Sequence, residues 1–288
     1  VIAQRQWQAA LEFFGALDTS YNLIVTSQNN YENQEGLSID DNEFNISLNN
    51  IKFQFKESDE FIFQIDEMHF RANKTTALIG PSGSGKSTIL NLITSLEKTS
   101  SGKIVVNNTN LSDIDLKKLR SKIGYVQQKP IIYSNTIEWN ITTGRNDGLS
   151  DDEREEKLMH ACKMANIYDF INSQPKKFQT VLEEEGGNLS GGQQQRICLA
   201  RELYKEPKIL ILDEASSALD YKSEMKMYET IEGLKPYMTI LLVAHKLRAI
   251  NFIDYIYIID KGKVVEDGTY EQLKSNEDSY IYKFNDKK

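Results

Sequence analysis

The sequence predicts an α/β fold with a mainly parallel sheet, on three observations. Four strand-length apolar runs break suddenly into polar residues, as strands buried on both faces do. A glycine-rich loop follows one of these runs and leads into an apolar helix, and a second helical pattern precedes another run. The predicted strands are residues 75–80, 122–128, 208–214 and 239–245.

The glycine-rich loop, residues 80–88, reads GPSGSGKST. It has the Walker A pattern G-x-x-x-x-G-K-S/T and lies between a predicted strand and a predicted helix at 87–96, which is the context that makes the motif specific. Its glycines let successive N–H groups point at phosphate oxygens, and the positive end of the helix dipole lies behind the same anion. We predict a nucleotide phosphate site made of Gly80, Pro81, Ser82, Gly83, Ser84, Gly85, Lys86, Ser87 and Thr88.

Two side chains of the Walker A loop have predicted roles of their own. Lys86 adds a positive point charge for the β- and γ-phosphates, and the hydroxyl of Ser87 offers Mg²⁺ an oxygen ligand. A flexible connector rich in glycine and serine is the alternative interpretation. The Lys-Ser pair, with a strand before it and a helix after it, argues against that alternative.

A second anion site is predicted at the start of another helix. The string LSGGQ is formed by Leu189, Ser190, Gly191, Gly192 and Gln193, and apolar residues recur after it at helical spacing. The first N–H groups of a helix have no partner within the helix, so they are available to an anion. Taken alone, Ser-Gly-Gly is better explained as an ordinary helix cap.

The motifs of the chain, in their order and spacing, resemble those of the ATP-binding cassette (ABC) family. They are the Walker A loop, LSGGQ followed by Gln-Gln-Arg, ILILDE at 209–214 and SALD at 217–220. The resemblance covers roughly residues 46 to 275. It implies a P-loop NTPase core with a mainly parallel sheet, an N-terminal antiparallel β subdomain and an inserted helical subdomain at about 132–198. It also implies ATP and Mg²⁺ as cofactors.

Polar side chains at the ends of the predicted strands are expected to converge, because ligands of open parallel sheets bind at the carboxyl ends of the strands. Asp213 is placed to hold Mg²⁺, directly or through water, and Glu214 follows it as the candidate general base for an attacking water. A solvated strand end is the alternative for this pair, and the Walker A loop argues against it.

Three further roles come from the family resemblance. His245, which follows LLVA, looks like the switch histidine that contacts the γ-phosphate, and it is predicted to be catalytic together with Glu214 and Lys86. Gln128 resembles the glutamine that links the metal to the helical subdomain, with Gln127 as its rival one residue away. Asp220 looks like the aspartate that crosses the dimer interface.

An aromatic residue shortly before the Walker A loop is expected to stack on adenine. Register with the family favours Phe55, where tyrosine is usual, and Phe61 is a competing candidate. Phe53 alternates with polar residues as in a half-buried strand, and packing in the core is the stronger interpretation for it.

The N-terminal residues precede the resemblance and have a different character. Apolar residues from Trp7 to Tyr21 lie on one helical face, and a polar, acidic stretch follows them. By comparison with exporters, we predict that residues 1–26 are the cytoplasmic end of the last transmembrane helix, 27–45 a linker and 46–288 the ABC nucleotide-binding domain. A helix that packs on the domain's own core is the alternative.

An acidic, glycine-containing segment, residues 178–188, resembles the X-loop of exporters, which contacts the membrane domain. Glu184 matches its acidic position, but the basic residue that usually follows two positions later is missing. A solvated acidic turn is the alternative.

Composition restricts the partners and the compartment. Lys and Arg number 34 against 42 Asp and Glu, for a net charge of −8, and no basic stripe with interleaved aromatics occurs, so nucleic acid is not an expected partner. Cys162 and Cys198 lack metal or disulfide spacing, which suits a reducing cytosol. The apolar runs are shorter than the ~20 residues that span a bilayer. We expect a soluble fragment at the cytoplasmic face of a membrane, with the cell inner membrane favoured.

The predicted function is therefore the ATP-hydrolysing motor of an ABC exporter or flippase. The resemblance implies a homodimer of nucleotide-binding domains, in which the Walker A loop of one copy faces the LSGGQ of the other, and a transmembrane domain on the same full-length chain. The alternatives are a non-transport ABC ATPase and an importer ATPase subunit. Repair ATPases separate the two motifs by a long coiled coil, translation factors carry two cassettes, and importers lack the N-terminal helix and the X-loop. The transported substrate is not encoded in this domain.

Overall fold

The computed structural model describes residues 36–39, 43–54, 63–145, 147–216, 219–244 and 252–285. The predicted N-terminal helix at 1–26 and most of the predicted linker at 27–45 lie outside these ranges, so the division of the chain at those boundaries stays a prediction. Among the described residues, no helix has both the length and the apolar character needed to cross a membrane.

A small antiparallel sheet forms the N-terminal part of the described structure. Its strands, in spatial order, are β2, β1, β4 and β5. Antiparallel pairing places Ile46 opposite Phe70 on one side and opposite Val106 on the other. The inward residues of β1 and β2 are apolar and buried, while the intervening ones are polar, which is the alternation of a sheet with one solvated face. The bounds are β1 Ile46–Phe53, β2 Phe63–Phe70, β4 Ser101–Val106 and β5 Thr109–Asn110.

The larger sheet has the spatial order β10, β9, β3, β8, β7, β6 within the described residues. The strands from β9 to β6 are parallel, and β10 pairs antiparallel with β9. The four strands predicted from the sequence are all in the parallel part, and β3, β6 and β7 end one or two residues before their predicted ends. The bounds are β3 Thr75–Ile79, β6 Ile123–Val126, β7 Ile209–Asp213, β8 Thr239–Ala244, β9 Tyr255–Asp260 and β10 Lys263–Gly268.

The parallel sheet separates two hydrophobic cores. Because successive side chains of a strand point to opposite faces, Leu78 and Leu241 pack with the antiparallel sheet, whereas Ile79 and Leu242 pack with the helical region. Burial on both faces explains why these strands read as continuous apolar runs. The predicted fold class, a mainly parallel sheet with an antiparallel β subdomain and helices, is confirmed.

Several helices begin after a side chain that caps the helix start. The helix after the glycine-rich loop begins at Lys86 without a capping side chain, whereas a capping box of Ser150 and Glu153 starts the long helix of the helical region. The helix that begins at Gly191 contacts β6 and the helices of this region, so it joins the helical region to the sheet. The bounds are α1 Lys86–Ile93, α2 Leu116–Ser121, α3 Ile137–Thr142, α4 Asp151–Met164, α5 Tyr168–Ser173, α6 Gly191–Leu203, α7 Tyr221–Leu234, α8 Tyr270–Ser275 and α9 Tyr280–Asn285.

The close approach of β3 and β9 leads to a stability prediction for Gly80. A Cβ at this position would lie 2.0 Å from the carbonyl oxygen of Ile259, which is backbone and cannot turn aside. We expect Gly80→Ala to lower the free energy of unfolding by about 3 kcal/mol, the upper part of the usual overpacking range. Urea unfolding of the purified chain measures this change.

Gly233 provides the matched control for this substitution. It lies in α7, and a Cβ there would have no heavy atom within 4 Å. Gly233→Ala is expected to stabilise the chain by about 0.5–1 kcal/mol, because alanine favours the helix more than glycine does. Equal unfolding free energies for Gly80→Ala and the unsubstituted chain would contradict the prediction, because β9 would then have moved to accommodate the added Cβ at little cost.

Candidate functional site

The carboxyl ends of β3, β6 and β7 lie at one edge of the parallel sheet, and several of the predicted site residues are at or just after these ends. The glycine-rich loop leaves β3, Gln128 follows β6, and Asp213 and Glu214 end or follow β7. The side chains of two predicted residues meet there, since Nε2 of Gln128 donates a hydrogen bond to Oε2 of Glu214 over 2.8 Å. Gln127, the competing candidate for the role of Gln128, is exposed at the preceding position.

The glycine-rich loop is closed around the ammonium group of Lys86. Gly83 and Gly85 have positive φ angles of 76° and 104°, which side chains other than glycine's rarely adopt. Nζ of Lys86 donates to the carbonyl oxygens of Gly80 (2.9 Å) and Pro81 (2.8 Å), and this side chain is only 4% exposed. Burial lowers the pKa of Lys86, whereas the carboxylates of Glu214 and Asp213 oppose that shift.

The other side chains of the glycine-rich loop, which we call the phosphate cradle, differ in exposure to solvent. Pro81, Ser82 and Ser87 are exposed, Thr88 is half-buried, and Ser84 is buried. The loop therefore presents hydroxyls and backbone to solvent on one side and holds its lysine on the other.

A phenol that the sequence interpretation did not single out contacts the acidic pair. The hydroxyl of Tyr125 donates to Oδ2 of Asp213 over 2.9 Å. Burial, with a contribution from the Asp213 charge, raises the pKa of Tyr125, so the phenol remains the donor. The signal in the sequence is a polar aromatic residue inside an otherwise apolar strand, but its partner becomes visible only once β6 is paired with β7.

Glu214 has an unusual backbone conformation. Its φ is 51°, in the left-handed region, where non-glycine residues are uncommon. Its amide donates to the carbonyl oxygen of Val243 in the neighbouring strand over 3.1 Å. Backbone strain of this kind is concentrated at functional sites.

The LSGGQ string forms the start of α6. Ser190 is the N-cap, and it makes a capping box in which its hydroxyl accepts from the amide of Gln193 and its own amide donates to the Gln193 side chain. Leu189 packs against the hydrophobic core, while Ser190 and Gly191 are exposed. The string is thus a helix cap, as one interpretation held, and its helix end also faces solvent, as an anion site requires.

Asp220 is the N-cap of α7 and lies near the start of α6. It accepts hydrogen bonds from the amide (3.0 Å) and the hydroxyl (2.8 Å) of Ser223, and these bonds lower the pKa of Asp220. A Cβ at Gly192 would lie 3.2 Å from the hydroxyl of Ser223. The two helix starts therefore approach each other closely.

Some predicted site residues lie outside the described residues. They are Phe55 and its competitor Phe61, the histidine His245, and residues 217–218 of the SALD string. Phe53 is 2% exposed and belongs to the core beneath the antiparallel sheet. The role of each predicted site residue stays a prediction.

A buried glutamine ties α6 to the segment that carries Gln128. Nε2 of Gln195 donates to the backbone oxygen of Gln128 over 3.0 Å, and Gln195 is 1% exposed. The sequence interpretation used Gln-Gln-Arg only as a motif and gave this residue no role. Its contact fixes the loop after β6 to the helix that begins with LSGGQ.

The segments before α3 and before α6 run side by side and expose apolar side chains. Leu182 donates its amide to the oxygen of Asn135, and Ile137 donates its amide to that of Thr180. We call the surface formed by Ile131, Tyr133, Val181 and Glu184 the Tyr133 face. Its three apolar residues are 48%, 47% and 58% exposed, respectively, and Glu184 follows Val181 by three residues, in a short 3₁₀ turn.

The Tyr133 ring on this face is held by two neighbours. Trp139 meets it edge-on at 5.3 Å between ring centroids, and the guanidinium of Arg201 lies 5.5 Å from its centroid. The face is therefore built on α3 and α6 rather than on an unsupported loop.

The donor set at the sheet edge suits Mg²⁺. Ser87 and Asp213 offer hard oxygen atoms, and no group of three or more His, Cys, Asp or Glu side chains able to hold a metal occurs among the described residues. Mg²⁺ at nucleotide sites is usually held by one or two protein oxygens together with phosphates and water, so a protein cage is not required.

Comparisons with known proteins agree with this geometry. A sequence model described as "ABC transporter" matches residues 63–217. The chain is 39% identical over 248 residues to the ABC multidrug transporter atrD of Emericella nidulans, which covers 86% of this chain and 18% of that protein. It is 38% identical over 235 residues to a putative multidrug export ATP-binding/permease protein of Staphylococcus aureus, with 82% and 40% covered.

A solved structure shares the fold. It is described as a bacterial Atm1-family ABC exporter with ATP bound, and it matches with a TM-score of 0.79 and 30% identity over 89% of this chain and 44% of that one. The chain spans less than half the length of each of these three proteins.

Proposed function

Because this chain belongs to the ABC transporter family, we propose that it is the ATP-hydrolysing motor domain of an exporter or flippase. The observation that carries the proposal is the hydrogen bond from Gln128 to Glu214, made at the sheet edge to which the Walker A loop and Asp213 also lead. The Glu214 carboxylate, the Gln128 side-chain amide and the phosphate-binding loop are therefore all at this edge of the sheet.

The residues of the site have complementary roles in the proposed reaction. The loop from Gly80 to Thr88 binds the phosphates, and Ser87, Gln128 and Asp213 would hold Mg²⁺, which would neutralise phosphate charge. Water attacks the γ-phosphorus while Glu214 accepts its proton, and ADP leaves with the electron pair of the broken P–O bond. His245 contacts the γ-phosphate, and Phe55 stacks on the adenine.

Lys86 exchanges partners when nucleotide binds. Its ammonium lies against the oxygens of Gly80 and Pro81, which are neutral acceptors. Phosphate oxygens carry negative charge and form stronger, charge-assisted hydrogen bonds with an ammonium group. When a phosphate binds in the cradle, the ammonium group of Lys86 therefore exchanges its hydrogen bonds to the carbonyl oxygens for hydrogen bonds to phosphate oxygens.

We infer that a second copy of the domain completes each site. Ser190 and Gly191 present the start of α6 to solvent, where the helix N-terminus attracts an anion. The Walker A loop already supplies N–H groups to a phosphate from its own side, so the second anion site serves the nucleotide of a partner chain. Asp220, beside the same helix start, lies at this interface.

We further infer that the Tyr133 face binds a transmembrane domain carried on the same full-length chain, with this domain on the cytoplasmic side of the membrane. The relative from Staphylococcus aureus is named an ATP-binding/permease protein, and the chain covers 40% of it. The face combines three exposed apolar side chains with one carboxylate, a mixture suited to a docked helix end. The segment from Gln128 to Tyr133 connects it to the nucleotide site.

Glu214→Gln is expected to reduce ATP turnover at least ~100-fold, because an amide cannot accept the proton of the attacking water. ATP binding is expected to persist, since the phosphate cradle is unchanged. Steady-state phosphate release measures turnover, and binding of a fluorescent ATP analogue measures affinity. Glu229→Gln, which removes the same charge from an exposed position of α7, is the control. Turnover within about threefold of the unsubstituted chain would remove Glu214 from the role of base.

Mixing two inactive variants tests whether LSGGQ acts on the partner's nucleotide. Lys86→Ala and Ser190→Arg each break both sites of a homodimer. Their heterodimer has one intact site, formed by Lys86 of one chain and Ser190 of the other, so ATPase activity is expected to recover in part on mixing.

The control for this mixture pairs Lys86→Ala with a chain that carries both substitutions, because no intact site can form in it. Recovery in the first mixture alone supports action across the interface. No recovery in the first mixture, with heterodimers demonstrated by crosslinking, would contradict it.

Val181→Asp tests the docking role of the Tyr133 face in the full-length protein. A charge placed among apolar contacts weakens docking, so we expect ATP-driven transport to fall about tenfold while the isolated chain hydrolyses ATP as before. Val265→Asp is the matched control, because Val265 is 53% exposed on β10, away from this face. Equal transport by the two variants would exclude the Tyr133 face.

A further inference from the structure

We propose that Tyr125 is a positioning residue that holds Asp213 in the orientation needed to bind Mg²⁺ together with the nucleotide. The proposal rests on the function proposed above, in which Asp213 is a metal ligand. It adds a residue from a different strand, whose hydroxyl contacts the ligand rather than the metal.

The pairing of β6 with β7 brings the two side chains together. Tyr125 is opposite Ile211 in the parallel register, and Asp213 lies two residues further on the same face of β7. A tyrosine side chain is long enough to reach along that face. Its hydroxyl lies 2.9 Å from Oδ2 of Asp213, a normal length for an O–H···O hydrogen bond.

The Tyr125 ring is anchored independently of this hydrogen bond. Its backbone amide donates to Oε2 of Glu202 in α6 over 3.1 Å, while its ring packs on the opposite face of the sheet, against the core that includes the antiparallel sheet. Glu202 is itself buried and paired with Lys205. The position of the phenol therefore does not depend on metal or nucleotide. Its hydroxyl restrains the Asp213 carboxylate, and the carboxylate does not determine where the ring lies.

A fixed neutral donor has a specific chemical effect on a ligating carboxylate. A hydrogen bond to one oxygen restricts rotation about the Cβ–Cγ bond, so less entropy is lost when the group binds a metal. A phenol also leaves the negative charge of the carboxylate intact, which a cationic partner would partly cancel. Hydrogen-bonding partners of metal ligands typically change metal affinity by about 10–100-fold.

The chain contains a second tyrosine–aspartate hydrogen bond that serves as a matched comparison. The hydroxyl of Tyr204 donates to Oδ2 of Asp147 over 2.6 Å, and Tyr204 is buried. This pair lies in the helical region, away from the sheet edge. Tyr204→Phe removes the same kind of bond as Tyr125→Phe but leaves the surroundings of Asp213 unchanged.

The experiment measures metal binding directly, with Mn²⁺ as the probe for the Mg²⁺ position. Electron paramagnetic resonance of unbound Mn²⁺ gives the metal affinity of the purified chain saturated with ADP. Nucleotide affinity is measured separately in EDTA with a fluorescent ADP analogue. We expect Tyr125→Phe to weaken Mn²⁺ binding about tenfold, with nucleotide affinity in EDTA within twofold of the unsubstituted chain, and Tyr204→Phe to change neither.

Two results would overturn the proposal. Unchanged Mn²⁺ affinity in Tyr125→Phe would show that the hydroxyl does not position Asp213. An equal loss of metal affinity and of nucleotide affinity in EDTA would assign the residue a structural role only. Should Tyr125→Phe not fold, Tyr125→Leu removes the hydroxyl together with the ring and carries the same expectation.

The readout does not depend on ATP turnover. An absence of ATPase activity in the unsubstituted chain would count against the proposed function, whereas the Mn²⁺ result tests Tyr125 separately. The two failures can therefore be told apart.

Discussion

The parallel register of four strands is the constraint on which the rest of the structure depends. Ile79 pairs with Ala244, Val243 with Asp213 and Leu212 with Val126, so β3, β8, β7 and β6 all end within one residue of a common level. The polar residues at and after the ends of β3, β7 and β6 then emerge side by side. A slip of one residue in any strand would turn its apolar side chains to the wrong core and move its polar end away from the others.

The loop after β6 connects two parts of the molecule that lie far apart in sequence. Gln128 contacts Glu214 through its side chain and α6 through its backbone oxygen, which accepts from Gln195. Asn140 bonds the amide and oxygen of Tyr133, and Arg201 of α6 bonds Asn140. One short segment, clamped at both ends on the same helix, therefore runs from the acidic pair to the exposed Tyr133 face.

The sequence predicted the features that depend on local pattern and the general convergence of the strand ends, but it did not predict the individual contacts that lateral pairing of the strands creates. Continuous apolar runs identified the buried strands, and the Walker A loop identified its own turn because glycine spacing is a local signal. The bond from Tyr125 to Asp213 joins residues 88 positions apart. Nothing in the periodicity of either strand says that they are neighbours. Gln195 was overlooked for the same reason, since its partner Gln128 belongs to a distant loop.

Glu214 shows how the sheet edge and the chemistry are linked. A left-handed backbone at a residue with a side chain costs about 1–3 kcal/mol and persists only where its surroundings enforce it. Here the amide bond to Val243 in β8 and the side-chain bond from Gln128 act from two sides. The turn redirects the chain immediately after Asp213, so Glu214 does not take the alternating orientation of the next residue of a strand, and both carboxylates act on the charge of Lys86. A relaxed backbone would continue β7 and would send the Glu214 side chain to the opposite face of the sheet from Asp213.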